Sequence, residues 1–258
     1  MDDTARLTNV PWEVSARAVA QAFDIPRVGL LNDLQAMGYA VPVLEAGELH
    51  QLQAGEPVRS GNMALIAAGT GLGQALLHNV HGTFIPSPTE AGHADFAART
   101  ERDILVLRDL TQRFGRAEVE HVLSGPGLMN LFRVTHTGPC IAVDDENDPD
   151  GPARVTTAAL ERRCQGCIDA LQLFVDAYGA EAGNAAVRAV STAGLFIGGG
   201  IAPKILPALT DGRFLRAFHD KGAMRPMLER MPVHVILNQD AGLLGAAVFA
   251  NQLIASAP

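Results

Sequence analysis

Residues 90–96 and 120–128 contain side chains that could bind a polyhydroxylated ligand. Glu90 and His93 lie among small residues in the first segment, and Glu120 begins the second, which is rich in glycine. A carboxylate accepts hydrogen bonds at two oxygens and a neutral histidine both donates and accepts, so these groups match the hydroxyls of a sugar. Glycines beside them remove side chains that would block the ligand. The two segments together predict a pocket for such a ligand, whereas Glu90 alone would be a solvated surface charge.

Asn32 and Asp33 follow the apolar segment 27–31, which we predict to be a strand, and precede a helical pattern that runs to Pro42. Asn and Asp are good N-cap residues, so one interpretation is purely structural. In the other, Asp33 points into a cleft at the carboxyl end of the strand, where open α/β sheets place their ligands. There its carboxylate could take a proton from an attacking hydroxyl group. The residues alone leave both interpretations open.

Two glycine-rich turns are candidates for close contact between backbone and ligand. Residues 69–73 read Gly-Thr-Gly-Leu-Gly and connect two predicted strands, so they are neither a Rossmann fingerprint nor a Walker loop. They could form a glycine hairpin, but the spacing favours a cradle in which backbone and the Thr70 hydroxyl hold phosphate oxygens. Residues 198–203 join a strand to a helix. That junction suits tight packing as well as the approach of a phosphate or a flat ring.

Alternating strand and helix patterns predict an α/β protein. Besides the segment 27–31, strands are expected at 62–68, 74–80, 193–197 and 232–237. Apolar residues at helical spacing predict helices within 101–113 and 154–190, and a closing helix at 241–254. The acidic stretch 144–152 is predicted to be a polar loop.

The composition is that of a globular protein with ample material for a core, since 48% of the 258 residues are hydrophobic. The net charge is −8 and no basic stripe is present, which argues against nucleic acid as a partner. No apolar run is long enough to span a membrane, and the acidic N-terminus does not resemble a signal peptide. We therefore expect a cytoplasmic protein without a membrane partner.

The three cysteines, Cys140, Cys164 and Cys167, argue for a reducing compartment and against a disulfide scaffold. Cys164 and Cys167 have the C-x-x-C spacing, but no second pair and no histidine nearby in the sequence completes a zinc set. We therefore expect core or helix-surface positions for them. Redox or metal chemistry is the less favoured alternative.

In their order and spacing these segments resemble the bacterial glucokinases, the ATP-dependent type within the hexokinase and actin-like ATPase superfamily. The resemblance extends from about Leu7 to the end of the chain and is carried by residues 31–34, 68–73, 90–93, 120–128, 198–203 and 242–245. The related repressor–kinase–ORF (ROK) sugar kinases have a cysteine-rich zinc motif after the histidine, and none follows His93. The resemblance implies an α/β protein of the actin-like ATPase (ribonuclease H-like) fold. It also implies transfer of the ATP γ-phosphoryl group to O6 of glucose, with Mg²⁺ as cofactor, and a homodimer.

The resemblance further implies roles for individual residues. Asp33 would be the general base for the 6-hydroxyl, and the remaining hydroxyls would be held by Asn32, Glu90, His93 and Glu120. The nucleotide would lie on the glycine turns, at Gly69, Thr70, Gly71, Gly73, Gly199 and Gly200. No protein ligand for a metal is implied.

The family's first phosphate loop, D-x-G-G-T-N, is not found in the sequence, and residues 7–12 resemble a point well inside the family's small domain. We therefore expect two lobes: an N-terminally truncated small lobe of residues 1–43 and 241–258, and a large lobe of residues 44–240. Because phosphoryl transfer depends on positioning and charge stabilisation, loss of one clamp should weaken turnover. The alternatives are a non-catalytic sugar-binding or regulatory remnant, a truncated gene product with little kinase activity, or a kinase for another sugar.

Overall fold

Eight strands lie within the part of the chain that the computed structural model describes, which is residues 4–6, 11–138, 140, 142–143 and 148–255. They are β1 (Thr4–Arg6), β2 (Glu13–Ser15), β3 (Leu49–Gln53), β4 (Met63–Ala68), β5 (Leu72–Val80), β6 (Thr83–Thr89), β7 (Gly194–Gly198) and β8 (Val233–Ile236). The first two form an antiparallel pair, and the others form one sheet in the order β3-β8-β7-β4-β5-β6. The inner pairs β4–β7 and β7–β8 are parallel and the outer pairs are antiparallel.

Ten helices occur in the same described residues. They are α1 (Ala16–Phe23), α2 (Asp33–Ala40), α3 (Glu101–Phe114), α4 (Gly125–Thr135), α5 (Gly151–Leu160), α6 (Gln165–Ala189), α7 (Leu206–Leu209), α8 (Arg213–His219), α9 (Arg225–Glu229) and α10 (Ala241–Ala255). Short 3₁₀ segments lie at 41–43, 46–48, 91–93, 202–205 and 222–224. The mixed sheet with helices on both faces is the predicted α/β class.

The sheet separates two apolar cores. Strands β4 and β7 are buried on both faces, which is why they carry continuous apolar runs instead of alternation. Helix α6 packs on β4 and β5 from one side and contributes Phe174 and Tyr178 to the larger core. Helices α2 and α10 cover the other face, over Leu65, Leu77 and Phe196.

Helices α2 and α10 pack tightly against each other. A Cβ at Gly245 would lie only 1.7 Å from the carbonyl oxygen of Ala36, so this crossing requires glycine. The rings of Tyr39 and Phe249 lie 5.1 Å apart between the same helices. The structure thus brings together helices from the two segments predicted to form the small lobe, 1–43 and 241–258, and the lobe boundaries themselves stay a prediction.

Most predicted elements are confirmed, including β4, β7, β8, α2, α3 and α10, with ends displaced by one or two residues. The helical stretch 154–190 divides into α5 and α6, because Arg162 adopts a left-handed conformation (φ 57°) between them. Part of the predicted acidic loop 144–152, and most of the segment 7–12, lie outside the described residues.

The predicted strand at 27–31 is wrong. A strand needs a neighbour to satisfy its backbone groups, and no strand among the described residues pairs with this segment. It runs instead beside α10, where the Arg27 guanidinium donates to the Leu253 carbonyl at 3.0 Å and Gly29 lies against Phe249. No helix in the described part of the chain combines the length and the apolarity that a membrane span requires.

Candidate active site

The N-terminus of α2 carries the two residues predicted at the catalytic centre. Asn32 is the N-cap, and its side-chain oxygen accepts hydrogen bonds from the N–H groups of Leu34 (3.0 Å) and Gln35 (3.3 Å). Asp33 is the first helical residue, and its Oδ1 accepts from the Leu34 N–H at 2.8 Å. Both residues are exposed. The cap interpretation is therefore confirmed for Asn32, while Oδ2 of Asp33 lies outside this local hydrogen bonding.

Two glycines hold α2 at the carboxyl ends of the parallel strands. Leu34 packs on Gly73 near the start of β5, where a Cβ would lie 2.2 Å from the leucine side chain. Met37 packs in the same way on Gly198 at the end of β7, at 2.5 Å. Since β4 and β7 run parallel and end at this edge, Asp33 lies where α/β sheets place their ligands.

His93 is the centre of a cluster of carboxylates. Its Nδ1 lies 2.8 Å from Oε2 of Glu118. This hydrogen bond is the main cause that raises the pKa of His93. Burial is the next largest effect and opposes the rise, and the charges of Glu120, Glu118 and Glu90 reinforce it. Three of the predicted sugar-binding residues, Glu90, His93 and Glu120, therefore share one electrostatic environment, and Nε2 of the exposed His93 ring is left for a ligand.

Sequence reasoning missed Glu118 and Arg116, which fix His93. The guanidinium of Arg116 lies 3.3 Å from Oε1 of Glu118 and also donates to the backbone carbonyl of His93. The signal in the sequence was proximity, since Glu118 lies two residues before Glu120.

Glu120 links this cluster to the first glycine turn. Its Oε2 accepts a hydrogen bond from the Leu72 N–H at 2.8 Å, and its own N–H donates to the Gly92 carbonyl at 2.9 Å. A Cβ at Gly71 would lie 2.6 Å from the same Oε2, so glycine is needed for this approach. Glu120 is thus held between residues 69–71 and residues 91–93, with Oε1 available to a ligand.

The first glycine turn lines a cleft of about 850 Å³, a size typical of small-molecule sites. Gly69 and Thr70 face the cleft, and α4 closes one side, since the Gly125 N–H donates to the Gly69 carbonyl at 2.8 Å. A Cβ at Gly69 would meet nothing within 4 Å. This turn therefore has room for a ligand against its backbone.

The second glycine turn approaches the same cleft. Gly199 has φ +82°, and a Cβ there would lie 2.3 Å from the Ala68 carbonyl oxygen, so this position requires glycine. A Cβ at Gly200 would meet nothing within 4 Å. The residues that follow the turn, Ile201 and Lys204, line the cleft. Lys204, which the sequence reasoning did not single out, brings a positive charge to it.

The predicted nucleotide-binding residues are thus distributed over several environments. Gly69 and Thr70 line the cleft, Gly199 and Gly200 directly precede its lining residue Ile201, Gly71 faces Glu120, and Gly73 packs under Leu34.

Tyr178 fixes the spacing between the two turns from within the core. Its hydroxyl accepts a hydrogen bond from the Ala68 N–H at 3.2 Å and donates one to the Gly198 carbonyl at 3.4 Å. Burial raises the pKa of this hydroxyl, so it stays protonated and can donate. Ala68 and Gly198 are the last residues of β4 and β7, immediately before the turns.

Comparison with known proteins identifies the family. A sequence model of the glucokinase family matches residues 1–253. The chain belongs to the glucokinase family. A curated glucokinase of Nostoc punctiforme is 40% identical over 269 residues, which cover 97% of this chain and 79% of that protein. The crystal structure of a glucokinase from an Antarctic psychrotroph matches with a TM-score of 0.85 at 29% identity, over 98% of this chain and 77% of the other.

A more distant structure shares the fold. The ROK-family glucokinase from Streptomyces griseus, solved in complex with glucose and AMPPNP, matches with a TM-score of 0.63 at 20% identity, over 92% of this chain and 72% of that one. The family resemblance and the actin-like ATPase fold predicted from the sequence are therefore confirmed. Membership of the glucokinase family also establishes the activity as phosphorylation of glucose.

Proposed function

We propose that the chain transfers the γ-phosphoryl group of ATP to O6 of glucose, and that Asp33 takes the proton from that hydroxyl. The position of Glu120 carries the proposal. Its carboxylate accepts from the Leu72 N–H beside the first glycine turn and also lies in the electrostatic cluster of His93. One side chain thus connects the candidate sugar site with the candidate phosphate site. Such proximity is what a transfer between two bound reactants requires.

Each residue proposed to bind glucose has a polar atom beyond those used in the protein's own hydrogen bonds described above. The Asn32 oxygen caps α2, which leaves its amide N–H groups as donors. His93 uses Nδ1 toward Glu118 and Glu120 uses Oε2 toward the backbone, so Nε2 and Oε1 remain for glucose hydroxyls. Glu90 is exposed beside them and accepts at either carboxylate oxygen. Asp33 holds and then deprotonates the 6-hydroxyl, for which a carboxylate within hydrogen-bond reach suffices.

The donor side suits a nucleoside triphosphate. AMPPNP, an ATP analogue, is bound by the Streptomyces griseus protein, which supports ATP as the donor here. Gly69 and Thr70, which line the cleft, would receive the phosphates. Gly71 and Gly73 would shape the turn against Glu120 and Leu34, and Gly199 and Gly200 would receive the adenosine. ATP supplies the electrophilic γ-phosphorus. Lys204 would balance phosphate charge within the cleft, where fixed positive charge stabilises transfer.

Mg²⁺ stays a prediction for this site. Among the described residues, a group of three potential metal ligands lies at His136, Cys140 and Cys164, none of which belongs to the glycine turns. Near the turns, Mg²⁺ would be held chiefly by phosphate oxygens and water, as is usual for this ion. No step proposed here passes through a protein ligand for it.

The two-lobe division, the homodimer and the cytoplasmic location likewise stay predictions from the sequence. Lobe closure would exclude water from the reacting groups and so limit ATP hydrolysis. Analytical ultracentrifugation of the purified chain would determine whether it is a dimer.

The proposed reaction can be tested with a coupled assay of ADP release at varied glucose, followed by proton–phosphorus correlation NMR of the sugar product. We expect glucose-dependent ADP release and phosphorus coupled to the protons on C6. ADP release that does not depend on glucose, or phosphorus at another carbon, would contradict the proposal.

A further inference from the structure

The fold collects all three cysteines and one histidine at a single place outside the candidate active site. Sγ of Cys140 lies 3.7 Å from Sγ of Cys164 and 3.9 Å from Sγ of Cys167. Potential ligand atoms of His136, Cys140 and Cys164 all lie within 4.8 Å of one another. In the sequence these residues span more than one element, so the histidine that the C-x-x-C pair lacks is supplied by tertiary structure.

Three segments meet at this place. His136 directly follows α4, Cys140 lies in the connection to α5, and Cys164 and Cys167 flank the start of α6. The absence of a side chain at Gly166 leaves space for the His136 imidazole, because a Cβ there would lie 2.5 Å from Cδ2 of that ring. The Thr135 hydroxyl donates to the Gly166 carbonyl at 2.9 Å and joins α4 to α6 beside the cluster.

We propose that Cys140, Cys164, Cys167 and His136 form a structural zinc site. Zinc in such sites is tetrahedral, and a Zn–S bond of about 2.3 Å places neighbouring sulfur atoms about 3.8 Å apart. The two Sγ–Sγ distances of 3.7 and 3.9 Å match this edge. Three cysteines and one histidine are a common donor set for closed zinc sites, in which no position is left for a substrate.

A hydrogen bond to sulfur supports the same interpretation. The Ala142 N–H donates to Sγ of Cys140 at 3.4 Å. Such bonds stabilise a thiolate and orient it toward a bound metal ion. A disulfide between Cys140 and Cys164 would use two of the four groups and leave Cys167 and His136 without a role.

The site would stabilise one wall of the nucleotide cleft. That cleft is lined by Met129 and Arg133 of α4 and by Asp148 and Pro149, which precede α5. In the sequence, His136 and Cys140 lie between these two pairs, and Cys164 and Cys167 lie at the start of α6. Zinc would therefore cross-link the connection between α4 and α5 to α6. Its expected contribution is to stability and nucleotide affinity, not to the chemical step.

Metal content tests the proposal directly on the unaltered chain. The protein is purified without a polyhistidine tag or chelator and analysed by inductively coupled plasma mass spectrometry, and we expect about one zinc ion per chain. Exchange for Co²⁺ should give a thiolate-to-cobalt charge-transfer band and the visible bands of tetrahedral cobalt. Less than about a tenth of an equivalent of zinc, together with no cobalt spectrum, would overturn the site.

Variants separate the zinc site from a disulfide and from the catalytic proposal. Cys140→Ser and His136→Asn should lose bound zinc, whereas His81→Asn, which removes an exposed histidine in the turn between β5 and β6, should retain it. A chelator should lower the melting temperature of the wild type and leave that of Cys140→Ser unchanged. A mass lower by two hydrogens without bound metal would show a disulfide and contradict the proposal. These readouts do not depend on the roles proposed for Asp33 or Glu120.

Discussion

The hydroxyl of Tyr178 lies 3.2 Å from the backbone nitrogen of Ala68 and accepts its hydrogen bond. The same hydroxyl donates to Gly198, so one buried side chain joins the ends of the two strands that lead into the glycine turns. Because protein interiors are close-packed, such a link fixes the separation of the turns without contact with either substrate. Tyr178 is therefore proposed as a positioning residue for the candidate nucleotide cleft.

Replacement of Tyr178 by phenylalanine should remove both hydrogen bonds and leave the packing of the ring intact. We expect a loss of about 1–3 kcal/mol in unfolding free energy, because the Ala68 N–H is left buried without a partner. The KM for ATP should rise while the KM for glucose changes little. Tyr39→Phe is the matched control, since the Tyr39 ring lies against Phe249 between α2 and α10. Equal effects of the two variants on the KM for ATP would refute the positioning role.

Two glycines of the candidate nucleotide site should respond differently to alanine. Gly199→Ala places a Cβ 2.3 Å from a carbonyl oxygen at φ +82°, so it should destabilise the fold by about 1–3 kcal/mol. The Cβ that Gly69→Ala adds would meet no atom within 4 Å, so this variant should change the unfolding free energy by less than about 0.5 kcal/mol. Its methyl group would nevertheless occupy the space predicted for phosphates, so the KM for ATP should rise. Thermal melts and steady-state kinetics measure both, and an unchanged KM in Gly69→Ala would remove that turn from the donor site.

Local patterns predicted the fold better than they predicted the site. The periodicity of α3 and the apolar runs of β4 and β7 are properties of the segments themselves, and these elements are confirmed. The segment 27–31 has the same apolar character but no partner strand in the described part of the chain, and sequence cannot show pairing. A strand assignment therefore depends on contacts that only the assembled sheet supplies.

The same limit applies to the functional groups. Residue types and spacing were enough to select Glu120, but its bond to Leu72 joins residues 48 positions apart. Glu118 was missed because its role is to hold His93, and that role is visible only once the two are paired. The sequence near Cys164 and Cys167 contains no histidine, whereas the fold brings His136, which follows α4, next to Cys140 and Cys164.

Asp33→Asn should abolish most of the turnover. Asn keeps a side-chain oxygen for the Leu34 N–H but cannot accept a proton, so kcat should fall by about 10²–10⁴-fold, the usual range for a general base. Glucose binding, measured by calorimetry, should change little. Asp24→Asn, at the exposed end of α1, removes an equal charge and should leave kcat unaltered. A near-normal kcat in Asp33→Asn would show that Asp33 is not the general base.

Two substitutions can separate the structural role of Glu120 from its proposed role in glucose binding. Glu120→Gln keeps an oxygen for the Leu72 N–H, whereas Glu120→Ala leaves that N–H unpaired. We expect the alanine variant to weaken glucose binding by about 1–3 kcal/mol, and the glutamine variant to weaken it less while it retains the melting temperature. Glu101→Gln, in the exposed first turn of α3, is the control for the lost charge. If glucose affinity is unchanged in Glu120→Ala, the residue lies outside the sugar site.

The pair His93–Glu118 should give the stability of the chain a defined pH dependence. The folded-state pKa of His93 is raised, so its contribution is complete below the ordinary histidine value of about 6.5 and disappears as the pH rises through the raised pKa. The pKa of Glu118 is lowered by its hydrogen bond to His93, so its contribution is complete above the ordinary value of about 4.3 and disappears as the pH falls through the lowered pKa. Glu118→Gln should therefore lower the unfolding free energy most between about pH 4.3 and 6.5 and little near pH 9. The loss should stay below about 1 kcal/mol, since more than half of the His93 side chain is exposed to solvent. NMR titration of His93 should show its pKa fall toward 6.5 in Glu118→Gln. The Asp95→Asn variant loses the Arg116–Asp95 ion pair and should leave that pKa almost unchanged, and equal shifts in both variants would contradict the assigned cause.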